Sequence, residues 1–252
     1  MNNKIAFEFG DCRELLKNIP TKSIKLVVTS PPYNISKKYG KYQDKLKFEE
    51  WEELINEVIR EVSRVLTDDG SLFLNLSPVP IGKNKEILPL PYLGYNIIKK
   101  NGFFLRNLIT WNFNGMQNCT KRLSGRYENI LWAVKDLENY IFNLEDIKIP
   151  YITKKDKRIT GSGRNPTDVW FFNLVNNVTK KKRNITHPTV YPLEMIERII
   201  KMSSNEGDLI LDPFLGSGTT LVAAKKLNRS GIGFEIDEKY KTEIENRLER
   251  LE

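Results

Sequence analysis

This chain of 252 residues is poor in residues that make covalent or metal cross-links, with two cysteines, Cys12 and Cys119, and a single histidine, His187. Two thiols cannot build a disulfide framework, and they read as the reduced thiols of a cytoplasmic protein. One histidine with no Cys or His partner gives no metal site, so none is expected. No apolar run approaches the ~18 residues that a membrane span needs. Glu8 and Asp11 stand where a signal peptide would carry its apolar core, which argues against secretion. Internal repeats and low-complexity segments are lacking too. With 40% hydrophobic and 29% charged residues, the chain has the balance of a soluble protein, and its length suits one domain with at most a small appendage.

Acidic residues are the scarcer charge, leaving a net charge of +8. The imbalance is local. Between Tyr151 and Thr186 stand Lys154, Lys155, Lys157, Arg158, Arg164, Lys180, Lys181, Lys182 and Arg183, against Asp156 and Asp168 alone. A solvated loop is the bland account of such a run. A cluster outside the apolar pattern suits a polyanion better, because neutralised phosphates release counterions.

The apolar pattern predicts alternating strands and helices. Strands are expected at Ile5 to Phe9, Ile24 to Val28, Ser71 to Leu76, Leu209 to Leu211 and Gly231 to Ile236, with helices at Arg13 to Asn18, Phe48 to Leu66, Leu193 to Ser203, Thr219 to Asn228 and Glu238 to Leu251. Asp68-Asp69-Gly70 is expected to stop the second helix. Ser77 to Gly94 reads as a loop before a helix near Tyr92 to Lys100, and Asn34 to Lys47 as a mobile polar loop. Phe103 to Asn112 and Asn129 to Val134 read as an antiparallel pair. The sum is a doubly wound, mostly parallel α/β sheet with an antiparallel strand pair. The carboxyl-terminal strand-helix-strand-helix lacks a following strand, which Ile5 to Phe9 can supply, as in a circular permutation.

Two strings carry chemistry, each after a buried strand and thus at the carboxyl end where open α/β sheets hold ligands. Thr29-Ser30-Pro31-Pro32-Tyr33-Asn34 offers a hydroxyl acceptor, a stiffened backbone and an aromatic face. Asp212-Pro213-Phe214-Leu215-Gly216-Ser217-Gly218-Thr219-Thr220 offers a Gly-x-Gly turn that a cofactor can approach closely. Leu221 stands where a dinucleotide fingerprint needs its third glycine, which counts against a nicotinamide enzyme. Together, and in this order, the strings resemble the amino-directed DNA methyltransferases of the permuted β class, which use S-adenosylmethionine (SAM). The chain is identified on that resemblance as a Rossmann-like SAM methyltransferase with a small DNA-recognition insertion.

The resemblance implies roles. Ser30 and the Pro31 carbonyl would accept the two N–H bonds of an exocyclic amino group, Pro32 would stiffen the turn, and Tyr33 would stack on a base flipped from the duplex. SAM would meet Asp212, Pro213, Phe214, Gly216, Ser217, Gly218 and Thr219, with Asp212 at its methionine portion. Glu235 would take the ribose hydroxyls, Asp11 the adenine edge, and Thr189, in His187-Pro188-Thr189-Val190-Tyr191-Pro192, would lie in the segment closing over the site. Many relatives have Lys where Tyr191 stands, so a lysine contact is not carried over. Tyr127, in Arg126-Tyr127-Glu128-Asn129, would line the base, and Lys180, Lys181, Lys182 and Arg183 would hold phosphates. Residues 1–135 would form the catalytic part of the domain, 136–186 the basic recognition region and 187–252 the SAM-binding part.

Serine before Pro-Pro-Tyr is the form associated with N4-cytosine enzymes, and Asp or Asn with N6-adenine ones, so N4-cytosine methylation of duplex DNA comes first and N6-adenine second. Neither cysteine sits beside a proline in a loop after a strand, which weighs against a C5-cytosine mechanism. An RNA or small-molecule methyltransferase on the same fold, and an inactive DNA-binding regulator, are the rivals. Expected partners are double-stranded DNA and, as an option that the chemistry does not require, a cognate restriction endonuclease. A monomer or a homodimer is expected, with no membrane association.

Overall fold

The computed structural model describes residues 3–39, 42–115, 118–151 and 161–251. Of the basic cluster, Lys154, Lys155, Lys157 and Arg158 lie outside the described residues, as does Asp156. Eight strands form the main sheet: β1 (Ile5–Phe9), β2 (Ile24–Thr29), β3 (Leu66–Leu76), β4 (Phe104–Asn112), β5 (Tyr127–Val134), β6 (Val169–Phe171), β7 (Leu209–Asp212) and β8 (Ser230–Glu235). Their spatial order is β1-β8-β7-β2-β3-β5-β4-β6. The first five in that order are parallel, and β5 runs antiparallel to both β3 and β4. The amino-terminal strand does complete the sheet beside β8, with Ile5 opposite Gly231.

Alternation along the strands sends side chains to two layers. Leu72, Leu74 and Leu76 of β3 pack with helix α2 (Phe48–Val65) and helix α3 (Leu90–Lys100). Phe73, between them, packs on the opposite face with helix α5 (Leu193–Ser203). Helix α2 forms where expected because Trp51, Ile55, Val58, Ile59, Val62 and Val65 fall on one buried stripe. The Glu50 carboxylate accepts from the Lys47 amide at its start. Helix α1 (Cys12–Leu15) is capped by the Asp11 side chain, helix α6 (Thr219–Lys226) follows the glycine turn, and helix α7 (Lys241–Arg250) closes the chain, with the short helix α4 (Asn177–Lys182) inside the basic region.

Four local expectations change. Asp68-Asp69-Gly70 does not separate helix from strand: β3 starts at Leu66 and carries an irregularity opposite Lys25. Lys25 pairs with Asp69 and Lys22 with Asp68, both at 2.7 Å, so the extra acidic residues are accommodated by opposite charge. Within Ser77 to Gly94, Pro78–Ile81 and Glu86–Pro89 pair as a hairpin. The sheet gains β6 at its edge, parallel to β4. Strands this short leave too little periodicity to read.

The fourth change concerns the described part of Asn34 to Lys47, residues 34–39 and 42–47, where side chains bond the backbone on both sides. The buried Asp44 carboxylate accepts from the amides of Asn34, Ile35 and Lys37 at 2.8–3.0 Å. The Asn34 amide group both donates to and accepts from the Leu46 backbone at 2.8 Å. Left-handed φ values at Asn34 (58°) and Ser36 (61°) turn these N–H groups inward toward the acid. No helix among the described residues is long and apolar enough to cross a membrane.

Candidate functional site

The loops at the carboxyl ends of β1, β2, β3, β7 and β8 surround a cavity of about 590 Å³. Ser30, Pro31, Pro32 and Tyr33 line one side. Asp11, Pro213, Phe214, Gly216, Ser217, Thr219 and Glu235 line another, and Thr189 and Lys180 also line the cavity. Two strings separated by about 180 residues thus face one space.

On the first wall the hydroxyl of Ser30 donates to the Tyr33 hydroxyl at 3.1 Å, and Tyr33 donates to the Glu128 carboxylate at 2.8 Å. Asn75 Nδ2 donates to both Tyr33 and Glu128, at 2.8 and 2.5 Å. This chain of donors runs along the cavity wall and ends on the half-buried acid Glu128. It leaves the lone pairs of Ser30 open. The Trp51 indole donates to the Pro32 carbonyl at 2.6 Å, whereas the Pro31 carbonyl has no such bond among the described residues. Burial raises the Glu128 carboxyl above its usual range, opposed by the bonds from Asn75 and Tyr33 and by the charge of Lys37. It also pushes the Tyr33 phenol well up.

On the second wall the glycine turn is satisfied from within, whereas the buried Tyr42 hydroxyl near Asp11 has no partner among the described residues. Glu235 accepts from the Gly216 amide at 2.9 Å and the Asp237 amide at 3.0 Å, and burial brings its carboxyl to about 7. Gly216 has φ 56°, and a Cβ there would meet the His187 ring at 3.0 Å, so this turn needs glycine. His187 is buried, donates through Nδ1 to the Thr189 carbonyl, and is lowered by burial to about 4, so it is neutral near pH 7. Asp11 is held below its ordinary range by the hydrogen-bonded Arg13 guanidinium.

Three expected residues stand elsewhere. Asp212 is buried beneath the turn, where its oxygens accept from the Thr29 and Thr220 hydroxyls and the Phe214 amide at 2.7–3.1 Å. It latches β2 to β7 and does not line the cavity. Gly218 caps α6 with φ 83° and faces Ile244, also outside the lining. Tyr127 is 42% exposed and off the cavity, because strand alternation turns it away and brings its neighbour Glu128 inward.

The basic helix divides likewise. Lys180 donates to the carbonyls of His187 and Pro188 at 3.1 and 2.6 Å and lines the cavity, whereas Lys181 and Lys182 are exposed and Arg183 is half-buried. Burial, then the charge of Lys37, lowers the Lys180 ammonium. Asn75, Trp111, Lys37 and Tyr39 line the cavity without having been picked out by motif, and Glu128 lines it from within the quoted Arg126-Tyr127-Glu128-Asn129 segment. Asn75 had one sequence signal, a polar residue near the carboxyl end of an apolar strand.

The fold, with both strings on one cavity, defines a class, and the comparisons agree: the N6/N4 DNA methylase family matches residues 24–246, and the chain belongs to it. Among its relatives, the type II methyltransferase ScaI of Streptomyces caespitosus is 37% identical over 95% of this chain and 80% of its own length. The DNA adenine methyltransferase YhdJ of Escherichia coli is 33% identical over 96% and 81%. A candidate DNA modification methylase of Thermus thermophilus, solved with SAM, superposes with a TM-score of 0.71 at 27% identity, covering 98% of this chain and 95% of that one. The cytosine-N4-specific PvuII methyltransferase shares the fold, with a TM-score of 0.77 at 21% identity over 100% and 90%.

Proposed function

We propose that this protein transfers the methyl group of SAM to the exocyclic N4 of cytosine in duplex DNA, after the base is flipped from the helix. The observation that carries the reading is the single cavity shared by the Ser30–Tyr33 wall and the Gly216–Glu235 wall. SAM fits the second wall: the glycine turn admits close backbone approach, Glu235 suits the ribose hydroxyls and Asp11 the adenine edge. SAM supplies an electrophilic methyl on a sulfonium. The protein's own task is to free the amine lone pair, which is delocalised into the ring. Ser30, its proton committed to Tyr33, and the Pro31 carbonyl accept the two amino N–H bonds, so the nitrogen pyramidalises toward the methyl. Tyr33, its hydroxyl anchored on Glu128, holds the base in plane. This is positioning and charge stabilisation with no covalent intermediate.

Cytosine is preferred over adenine because Ser30 stands where the adenine-directed form carries an acid or amide. The 33% identity to an adenine methyltransferase favours N6-adenine as the second reading. The exposed Lys181 and Lys182 are suited to phosphates. Residues 136–186, which supply β6 and α4, are assigned to target recognition. Incubating the protein with labelled SAM and mixed-sequence duplex DNA, then resolving the nucleosides, tests the reaction. Label in N4-methylcytosine supports it, label in N6-methyladenine moves the target, and label in 5-methylcytosine rejects the chemistry.

A further inference from the structure

Two buried polar atoms on the base side of the cavity have no hydrogen-bond partner, the Tyr191 hydroxyl and Asn75 Oδ1. Both residues line the cavity with Ser30. The Asn75 amide cannot be reversed, because its nitrogen donates to the Glu128 carboxylate and its oxygen could not. Its free Oδ1 is therefore an acceptor. Ser30 has given its proton to Tyr33, and the Pro31 carbonyl has only lone pairs to offer. In this group the Tyr191 O–H is the one donor with no acceptor at full hydrogen-bond geometry, with the Ser30 and Asn75 side chains close to it. A buried hydroxyl is unfavourable until something accepts from it.

An amino-substituted base presents the matching edge: two N–H donors, and beside them a ring nitrogen with a lone pair. We propose that Tyr191 is a specificity-determining residue of the target-base pocket, its hydroxyl donating to the ring nitrogen next to the amino group, N3 of cytosine or N1 of adenine. The inference rests on the amino-methylation reading above. A thymine would bring a carbonyl toward Ser30 and Asn75 and an N–H toward the Tyr191 proton, and so would be refused. Trp111 packs against the Tyr191 ring at 6.4 Å and donates its own indole N–H to the Phe172 carbonyl at 2.9 Å, which braces the phenol from behind. Burial, with the nearby charges of Asp212 and Glu128, keeps the phenol protonated, and the Ser30 and Asn75 side chains oppose this only in part. It therefore remains a donor at neutral pH.

The test is a chemical double-mutant cycle on the full-length protein. Tyr191→Phe is assayed on duplexes whose target base is normal or lacks the ring nitrogen, as 3-deazacytosine or, for an adenine target, 1-deazaadenine. Each change alone should lower kcat/KM roughly tenfold to a hundredfold, and both together no more than the larger single loss. The SAM Kd should stay at the wild-type value. Losses that multiply, or a wild type indifferent to the deaza base, overturn the inference. If Tyr191→Phe fails to bind SAM or to fold, a 3-fluorotyrosine at 191 replaces it. That residue strengthens the donor, so the deaza penalty must grow, and an unchanged penalty overturns the inference. A wild type that forms no amino-methylated base would defeat the underlying reading instead, which product analysis on normal duplex separates.

Discussion

The two walls of the cavity handle their polar groups in opposite ways. On the glycine-turn wall, Glu235 already holds two backbone amides and the Ser217 hydroxyl accepts from the buried Arg247, while Asp212 beneath the turn holds hydroxyls of its own. On the Ser30 wall the hydrogen bonds run toward Glu128 and leave Ser30, Asn75 Oδ1 and the Tyr191 hydroxyl with unused capacity. A wall that satisfies itself is a rigid mould for a cofactor. A wall with open acceptors and a spare donor is completed by a substrate edge.

The largest expected effect separates latch from ligand site. Asp212→Ala should lower stability by about 2–4 kcal/mol, because two buried hydroxyls and the Phe214 amide lose their acceptor. A denaturant melt reads this, and SAM affinity should fall only as far as the turn itself loosens. A variant of wild-type stability that no longer binds SAM would place Asp212 against the ligand and blur the contrast between walls.

Next in size is Glu128→Gln. A neutral isostere removes the cost of a buried charge, so Tm should hold or rise. The amide no longer fixes the direction of the Tyr33 and Ser30 protons, and kcat should fall roughly tenfold. A falling Tm with unchanged kcat would make the network structural only.

How far the sequence carried depends on the length of the signal. The parallel core was legible because β2, β7 and β8 are short apolar runs followed by glycine, proline or acid, and α2 has six buried positions on one stripe. The permuted closure by β1 followed from a missing strand. On the site, the candidate residues named within the two strings line one cavity, apart from Asp212 and Gly218. Asn75 sits in an otherwise ordinary strand and carries no motif, and only the antiparallel register of β3 and β5 brings it beside Glu128. An aromatic ring favours Tyr127 over Glu128 in the sequence, although a one-residue step decides which face is inward. Lys180 was grouped with its exposed neighbours because a run of cations does not reveal which one turns inward.

A smaller effect concerns pH. With its carboxyl near 7, Glu235 is ionised above that pH and protonated below it. Ribose hydroxyls donate best to the ionised form, so SAM affinity should be flat above about pH 7 and weaken by up to about tenfold per unit below it. Calorimetry across pH 5.5 to 8.5 reads the slope, and Glu235→Gln should abolish it. A wild-type profile with no break would remove Glu235 from the ribose position.

The smallest expected effect lies outside both walls. Lys181→Ala with Lys182→Ala, leaving Lys180 in place, should flatten the log–log salt dependence of duplex binding by about 0.9 for each phosphate no longer neutralised, with SAM Kd unchanged. Coincident slopes would place the phosphate path elsewhere.

The central claim is that one wall serves the base and the other SAM, and a crossed measurement tests it most directly. SAM Kd and single-turnover methyl transfer are determined for Ser30→Ala and Glu235→Gln. Ser30→Ala should keep the wild-type Kd while losing about 2–4 kcal/mol of barrier lowering, whereas Glu235→Gln should weaken SAM binding and recover most of its rate at saturating SAM. If both variants shift Kd and saturated rate together and to the same degree, the two walls do not divide the work and the account is wrong.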